Sequence, residues 1–179
     1  MPCPRHGFTL LELLVVMLVL GVLLAFAVPS FSAMLERNRS LAAFHQLTAS
    51  MAGARLAAVR TGEPVTLCPT REGLRCRRDL VWDDGWMSFR DSQRGEHPAR
   101  ASDVIEHVPL ARSQITVRST RGRHRLRFQP TGWASGANLS LRICTRTQAR
   151  LLGAVVVNNA GRPRSERQAA GPASCPYVP

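Results

Sequence analysis

The pattern of hydrophobic positions begins with a long apolar stretch near the N-terminus. Between residues 8 and 28 the only charged side chain is that of Glu12. As a helix that rises about 1.5 Å per residue, this stretch spans roughly 30 Å, the thickness of the hydrocarbon core of a bilayer. The pattern therefore predicts a helix long enough to cross a membrane.

Beyond Pro29 the apolar residues recur at steps of three and four, which is typical of a helix with one buried face. The sequence Thr61-Gly62-Glu63-Pro64 ends this pattern, because glycine favours a helix C-terminus and proline cannot continue a helix. We therefore expect one helix over residues 8–61, bent or locally opened near Gly21 and Pro29. Its apolar stripe consists of Leu41, Phe44, Leu47, Met51, Ala54 and Ala58.

After Pro64 the pattern changes to short β-type runs that are separated by turn residues. The order of elements predicts an α+β architecture, in which an amphipathic helix over residues 31–61 packs on an antiparallel sheet formed by residues 64–179. The predicted strands cover residues 65–68, 86–89, 104–108, 115–118, 125–129, 139–144 and 151–158.

Glu12 is the exception within the apolar stretch. An unpaired carboxylate in a membrane helix costs on the order of 2 to 3 kcal/mol. A secretory signal peptide is favoured by Arg5 and by the small-x-small site Ala25-Phe26-Ala27, but its apolar region usually has only about 7 to 15 residues. Cleavage between Gly7 and Phe8 would place a new amino group one helical turn from Glu12, which gives the carboxylate a positive partner.

The segment Gly7-Phe8-Thr9-Leu10-Leu11-Glu12, followed by the apolar helix and Pro29, resembles the leader of type IV prepilins. The resemblance implies that prepilin peptidase removes residues 1–7 and methylates Phe8. It also implies that residues 8–30 form a transmembrane and assembly helix, in which Glu12 pairs with the N-terminal amine of a neighbouring pilin. Residues 31–179 would then form a head in the periplasm while the chain is anchored in the inner membrane, and at the cell surface once it is part of a pilus.

The charge of the chain is strongly positive, with 24 basic and 12 acidic residues and a formal net charge of +12. Every basic residue apart from histidine is arginine, so a compositional bias accounts for part of the arginine density. The surplus of positive charge nevertheless favours polyanionic partners.

Four cysteines remain if Cys3 is lost with the leader, and an even number in an exported domain favours two disulfides. Three connectivities are possible, of which we expect Cys68 with Cys76 and Cys144 with Cys175. The spacing lacks the paired C-x2-C arrangement of structural zinc sites, and we predict no metal and no cofactor.

Several segments of the head resemble the heads of FimT-type minor pilins and GspH-type pseudopilins: residues 65–69, Trp82, residues 84–86, residues 128–132 and residues 155–162. FimT-type pilins that bind DNA during natural transformation carry a Gly-Arg-x-Arg motif, which Gly161-Arg162-Pro163-Arg164 matches. The resemblance implies that Arg162 and Arg164 contact DNA and that Gly161 shapes the turn.

We add Arg167 to this site because of its charge and proximity, and we expect all three arginines in a loop after the last strand, enclosed by the Cys144–Cys175 bond. Contacts to phosphates carry little sequence preference. A solvated turn is the alternative, since short Gly-Arg motifs recur in an arginine-rich chain. Arg121, Arg123 and Arg125, expected at a hairpin tip, form a secondary basic patch.

Other chemistry has little support, and we predict no catalytic site. His45, His97, His107 and His124 are scattered, and Asp83-Asp84-Gly85 fits a turn better than a metal site. We expect Trp82, Trp86 and Trp133 to lie in the core rather than to stack on bases. Two other functions remain open: a minor pseudopilin of a type II secretion system, and a minor pilin that primes filament assembly without binding DNA.

Overall fold

The computed structural model describes residues 9–110, 115–136, 138–146, 149–167 and 175. The leader, Gly7 and Phe8 lie outside the described residues. The chain divides into two compact units, of which the first ends at Asn38 and the second begins at Arg39. Every residue of the main hydrophobic core lies between Ala43 and Val157, so the second unit has a core of its own.

The first element is helix α1, Leu10–Thr61. Thr9 caps it, because its Oγ1 atom accepts a hydrogen bond from the backbone N–H of Glu12 at 3.2 Å. Glu12 lies in the first turn of the helix, where the helix dipole favours a negative charge. The backbone stays helical at Gly21 and Pro29, so the helix is not opened where the sequence suggested it.

The apolar side chains of α1 are exposed from Leu10 to Val28, and within the described residues α1 alone is long and apolar enough to cross a membrane. From Ser40 onward the helix buries one face, as the periodicity predicts. Of the predicted stripe Leu41 is half-buried, and the others are buried: Phe44, Leu47, Met51, Ala54 and Ala58.

In the part of the head that the structure describes, the strands form two antiparallel sheets, where the sequence predicted one. The first has the strand order β3-β2-β1-β5-β6 and the second the order β4-β7-β8-β9. Their strands are β1 Val65–Pro69, β2 Gly85–Arg90, β3 Val104–Pro109, β4 Ile115–Ser119, β5 Leu126–Phe128, β6 Ala134–Ser135, β7 Leu139–Thr145, β8 Leu151–Val157 and β9 Pro163–Arg167. The predicted α+β class and the seven predicted strands are confirmed.

Strands β6 and β9 are the two that the sequence did not predict. Strand β6 has only two residues, too few for an alternating pattern. Strand β9 begins with a proline and contains only polar and charged residues after it, and it lies at an edge of its sheet. Edge strands tolerate proline and charge, because one side of their backbone has no partner strand.

The tryptophans divide between core and surface. Trp82 and Trp86 are fully buried, as predicted, but 60% of the surface of Trp133 is exposed. The expectation that Trp133 lies in the core is wrong, because it belongs to the turn between β5 and β6, outside the alternation of buried positions.

Both expected disulfides are present. Cys68 and Cys76 are bonded with their Cα atoms 5.5 Å apart, and Cys144 and Cys175 with their Cα atoms 6.0 Å apart. The first bond closes the segment that follows β1, and the second joins β7 to the C-terminal region.

Asp83 and Asp84 form a turn before β2, as predicted, but Asp83 also has a role that the sequence did not reveal. Its carboxylate is buried, forms an ion pair with the buried guanidinium of Arg118 and accepts a hydrogen bond from the backbone N–H of Val117 at 2.7 Å. This ion pair joins the turn to β4, which belongs to the other sheet.

Candidate nucleic-acid interface

The Gly-Arg-Pro-Arg segment lies at the turn of the hairpin formed by β8 and β9. The last paired residues are Val157 and Pro163. Within the turn, the carbonyl oxygen of Asn158 accepts a hydrogen bond from the Gly161 N–H at 2.9 Å, and its side-chain oxygen accepts one from the Arg162 N–H at 3.3 Å. Gly161 has a φ of +72°, a conformation that glycine adopts without strain.

Gly161 is also buried against a second turn, the one between β5 and β6. A Cβ atom at this position would overlap the carbonyl oxygen of Gly132. The same carbonyl accepts a hydrogen bond from Arg55 Nε of α1 at 2.9 Å, and the Asn159 carbonyl accepts one from the Ala134 N–H at 2.9 Å. The two turns and Arg55 therefore hold the backbone that carries Arg162.

Arg162 and Arg164 are both exposed, and Pro163 between them is half-buried. The proline ring fixes φ, which restricts the backbone that separates the two arginines. Arg164 lies in β9 opposite Val156. The prediction of a loop after the last strand is therefore wrong for Arg164 and Arg167, because both belong to an edge strand.

The alternation of side chains along β9 separates Arg164 from Arg167. Ser165 faces α1, since its hydroxyl oxygen lies 3.0 Å from that of Thr48. Because successive side chains of a strand point to opposite faces, Arg164 points away from α1 and Arg167 lies on the same face as Ser165. Arg164 shares its face with Glu166, and β9 does not bring Arg167 beside Arg164.

The cluster of Arg121, Arg123 and Arg125 connects β4 to β5, which belong to different sheets, so it is not the predicted hairpin tip. Arg125 Nη1 donates a hydrogen bond to the Gly95 carbonyl at 3.0 Å. The guanidinium of Arg123 lies where a Cβ atom at Gly136 would be. Arg123 and Arg125 are half-buried, whereas Arg121 is exposed.

His124 lies within this cluster, and its pKa is lowered from the ordinary value. Burial is the main cause, and repulsion by Arg125 and Arg78 adds to it. The imidazole is therefore neutral at pH 7, and the positive charge of the cluster comes from its arginines.

The Cys144–Cys175 disulfide closes the chain around β8 and β9. The turn between them, residues 158–162, which we call the arginine turn, therefore lies within the segment that the disulfide encloses. The Cys175 N–H also donates a hydrogen bond to the Ala149 carbonyl at 2.6 Å. Chain-entropy arithmetic for a closed segment of this length gives a stabilisation of roughly 3 to 4 kcal/mol.

Two residues near the turn were not connected with it by the sequence. Arg55 lies on α1, far away in sequence, and reaches the turn through its hydrogen bond to Gly132 and its proximity to Gly161. Trp133 follows Gly132 directly, and its exposure next to the arginine turn is a property of the tertiary structure. A chain with 24 basic residues gives no sequence signal that distinguishes Arg55 from the others.

The long apolar helix and the head of antiparallel strands define a type IV pilin-like protein. The family described as Type II transport protein GspH matches residues 43–161, more than half of the chain, and the chain belongs to this family. The prokaryotic N-terminal methylation motif matches residues 3–28. Comparison with curated proteins finds no match.

Among solved structures, the chain is similar to the type IV minor pilin FimU from Pseudomonas aeruginosa PAO1, in two crystal forms. In the first, the identity is 19%, the TM-score is 0.61, and the match covers 78% of this chain and 97% of FimU. In the second, the identity is 18%, the TM-score is 0.56, and the match covers 75% of this chain and 98% of FimU. At this identity the similarity shows the pilin fold.

The family and the methylation motif together identify a pilin or pseudopilin. Such proteins are structural rather than enzymatic, associate with other pilins and are processed by prepilin peptidase. The N-terminal helix anchors the chain in the inner membrane with the head in the periplasm before it is assembled. The family match ends at Gly161, so Arg162 and Arg164 lie just beyond it.

Proposed function

We propose that this chain is a minor pilin of a type IV pilus, which binds DNA through Arg162 and Arg164 for uptake in natural transformation. The supporting observation is that Arg162 is exposed in a fixed hairpin turn and Arg164 is exposed two residues further on, at the start of β9. Guanidinium groups bind phosphate oxygens through paired hydrogen bonds, and a turn that is already ordered loses little entropy on binding. The formal net charge of +12 favours the approach of DNA.

The proposed contacts are to phosphates, so binding depends on salt and hardly on sequence. Replacing both Arg162 and Arg164 with alanine is expected to weaken duplex binding by about 10- to 100-fold. The slope of log affinity against log salt concentration should become smaller by about 2, because two phosphates are no longer neutralised. A salt titration of the head, residues 31–179, by fluorescence anisotropy measures both quantities.

The matched control removes two exposed arginines from the segment between β1 and β2. The side chains of Arg71 and Arg78 are 67% and 70% exposed. Replacing both with alanine changes the net charge by the same amount, and we expect a much smaller loss of affinity. Equal losses of affinity from the two double variants would mean that only the overall charge matters. If the Arg162 and Arg164 variant kept the wild-type salt slope, the assignment of these arginines as phosphate contacts would be wrong.

We also propose that prepilin peptidase cleaves after Gly7, so that Phe8 becomes the mature, methylated N-terminus and Glu12 pairs with the amine of a neighbouring subunit. N-terminal sequencing of the protein purified from its membrane should read Phe8-Thr9-Leu10. A mature chain that begins at Val28 would instead identify a secretory signal peptide.

A pseudopilin of a type II secretion system is the second candidate, because the matching family carries that description. A wild-type head that fails to bind DNA at low salt would favour this alternative. Deletion of the gene in the host separates two further cases. If transformation is lost while pili persist, the protein acts in DNA uptake. If the pili themselves are lost, it primes filament assembly.

A further inference from the structure

Trp133 is exposed beside the arginine turn. Most tryptophans are largely buried, yet 60% of this residue is exposed. Its backbone is fixed, because its carbonyl accepts a hydrogen bond from the Gln129 N–H at 2.7 Å and the next residue donates one to Asn159 at 2.9 Å. The indole therefore projects from an ordered turn that is hydrogen-bonded to the turn of Arg162.

The turn of Arg162 and the guanidinium of Arg123 both lie near the backbone of Trp133. Asn159, in the turn of Arg162, is bonded to the residue that follows Trp133. Three residues after Trp133 comes Gly136, against which the guanidinium of Arg123 packs. Three residues span at most about 10 Å, so the backbone of Trp133 lies within about 10 Å of the position against which the Arg123 guanidinium packs.

We propose that Trp133 stacks on an unpaired nucleobase of single-stranded DNA, whose phosphates Arg162 and Arg123 contact on either side. The inference rests on the proposed DNA-binding function and adds a class of substrate to it. An aromatic side chain between basic groups is how proteins bind single strands without reading their sequence. A paired base inside a duplex does not offer its face to the indole, so Trp133 adds affinity for single strands alone.

The experiment uses the full-length chain in neutral detergent and three probes. These are a 12-nucleotide single strand, the same strand with abasic sites in place of every base, and the duplex. We expect Trp133→Ala to weaken binding of the single strand about tenfold and to leave duplex affinity within about twofold. Trp133→Phe should restore most of the loss, and the abasic strand should bind the wild type and Trp133→Ala equally.

Fluorescence gives a second readout. Of the three tryptophans, Trp82 and Trp86 are fully buried, so Trp133 is the one that a base can reach. Saturation with the single strand should quench the emission of the wild type, whereas the abasic strand and the Trp133→Phe variant should show no quenching. Leu74→Ala, which removes an exposed apolar side chain elsewhere, is the control and should bind as the wild type does.

The results separate this inference from the proposed function. If Arg162→Ala with Arg164→Ala weakens binding as proposed but Trp133→Ala binds the single strand like the wild type, stacking is wrong and DNA binding stands. If the wild type binds none of the probes, or the double arginine variant binds them all normally, the proposed function is wrong as well.

Discussion

Replacing Gly161 with alanine is expected to lower the free energy of unfolding of the head by about 3 kcal/mol, and to weaken DNA binding as well. Two costs add: the left-handed backbone conformation costs an alanine about 1 to 2 kcal/mol, and the overlap of its Cβ with the Gly132 carbonyl forces the two turns apart. Since Arg55 Nε donates to the same carbonyl, the shift also disturbs this bond. Chemical denaturation of residues 31–179 measures the stability, and anisotropy measures the affinity.

Gly122 provides a matched control for this prediction. It also precedes an arginine and has a φ of +77°, but a Cβ atom there would meet nothing within 4 Å. Gly122→Ala should therefore cost only the backbone term, about 1 to 2 kcal/mol. The difference between the two variants isolates the contact of Gly161 with Gly132, and equal destabilisation would show that this contact carries no energy.

The sequence predicted the elements of the fold where their patterns are regular. The stripe of α1 from Phe44 to Ala58 follows from the helical period of about 3.6. Strands such as β1 and β8 follow from short apolar and β-branched runs that are bounded by turn residues. Strand β9 could not be found in this way, because a strand at a sheet edge needs no apolar residues. The division into two sheets depends on long-range pairing, which local patterns do not contain.

The candidate site could be predicted only in part, because local patterns do not contain long-range contacts. A resemblance in sequence singled out Gly161, Arg162 and Arg164, but it could not tell that β9 points Arg164 and Arg167 to opposite faces. Trp133 and Arg55 lie near the arginine turn through contacts between turns and helix, and their own sequence neighbourhoods do not signal this. Residues that come together only through tertiary contacts can be recognised only from the structure.

A second large effect is expected at the ion pair of Asp83 with Arg118, away from the arginine turn. Their side chains are only 11% and 7% exposed. Asp83→Asn keeps an acceptor for the Val117 N–H but leaves the Arg118 guanidinium buried without a counter-charge. Loss of one partner of a buried pair lowers the free energy of unfolding by about 3 to 5 kcal/mol. We expect a loss of about 3 kcal/mol for Asp83→Asn, because the amide oxygen still accepts hydrogen bonds. Chemical denaturation of residues 31–179 measures it.

Glu96→Gln is the control for Asp83→Asn, since it removes the charge from an exposed pair with Arg78 and should leave the unfolding midpoint unchanged. Adding Arg118→Met to Asp83→Asn removes the unpaired buried charge, so the double variant should regain much of the lost stability. If Asp83→Asn and Arg118→Met instead destabilise additively, the two side chains do not act as a pair. DNA affinity should remain at the wild-type level in every variant that stays folded, because neither residue belongs to the arginine turn.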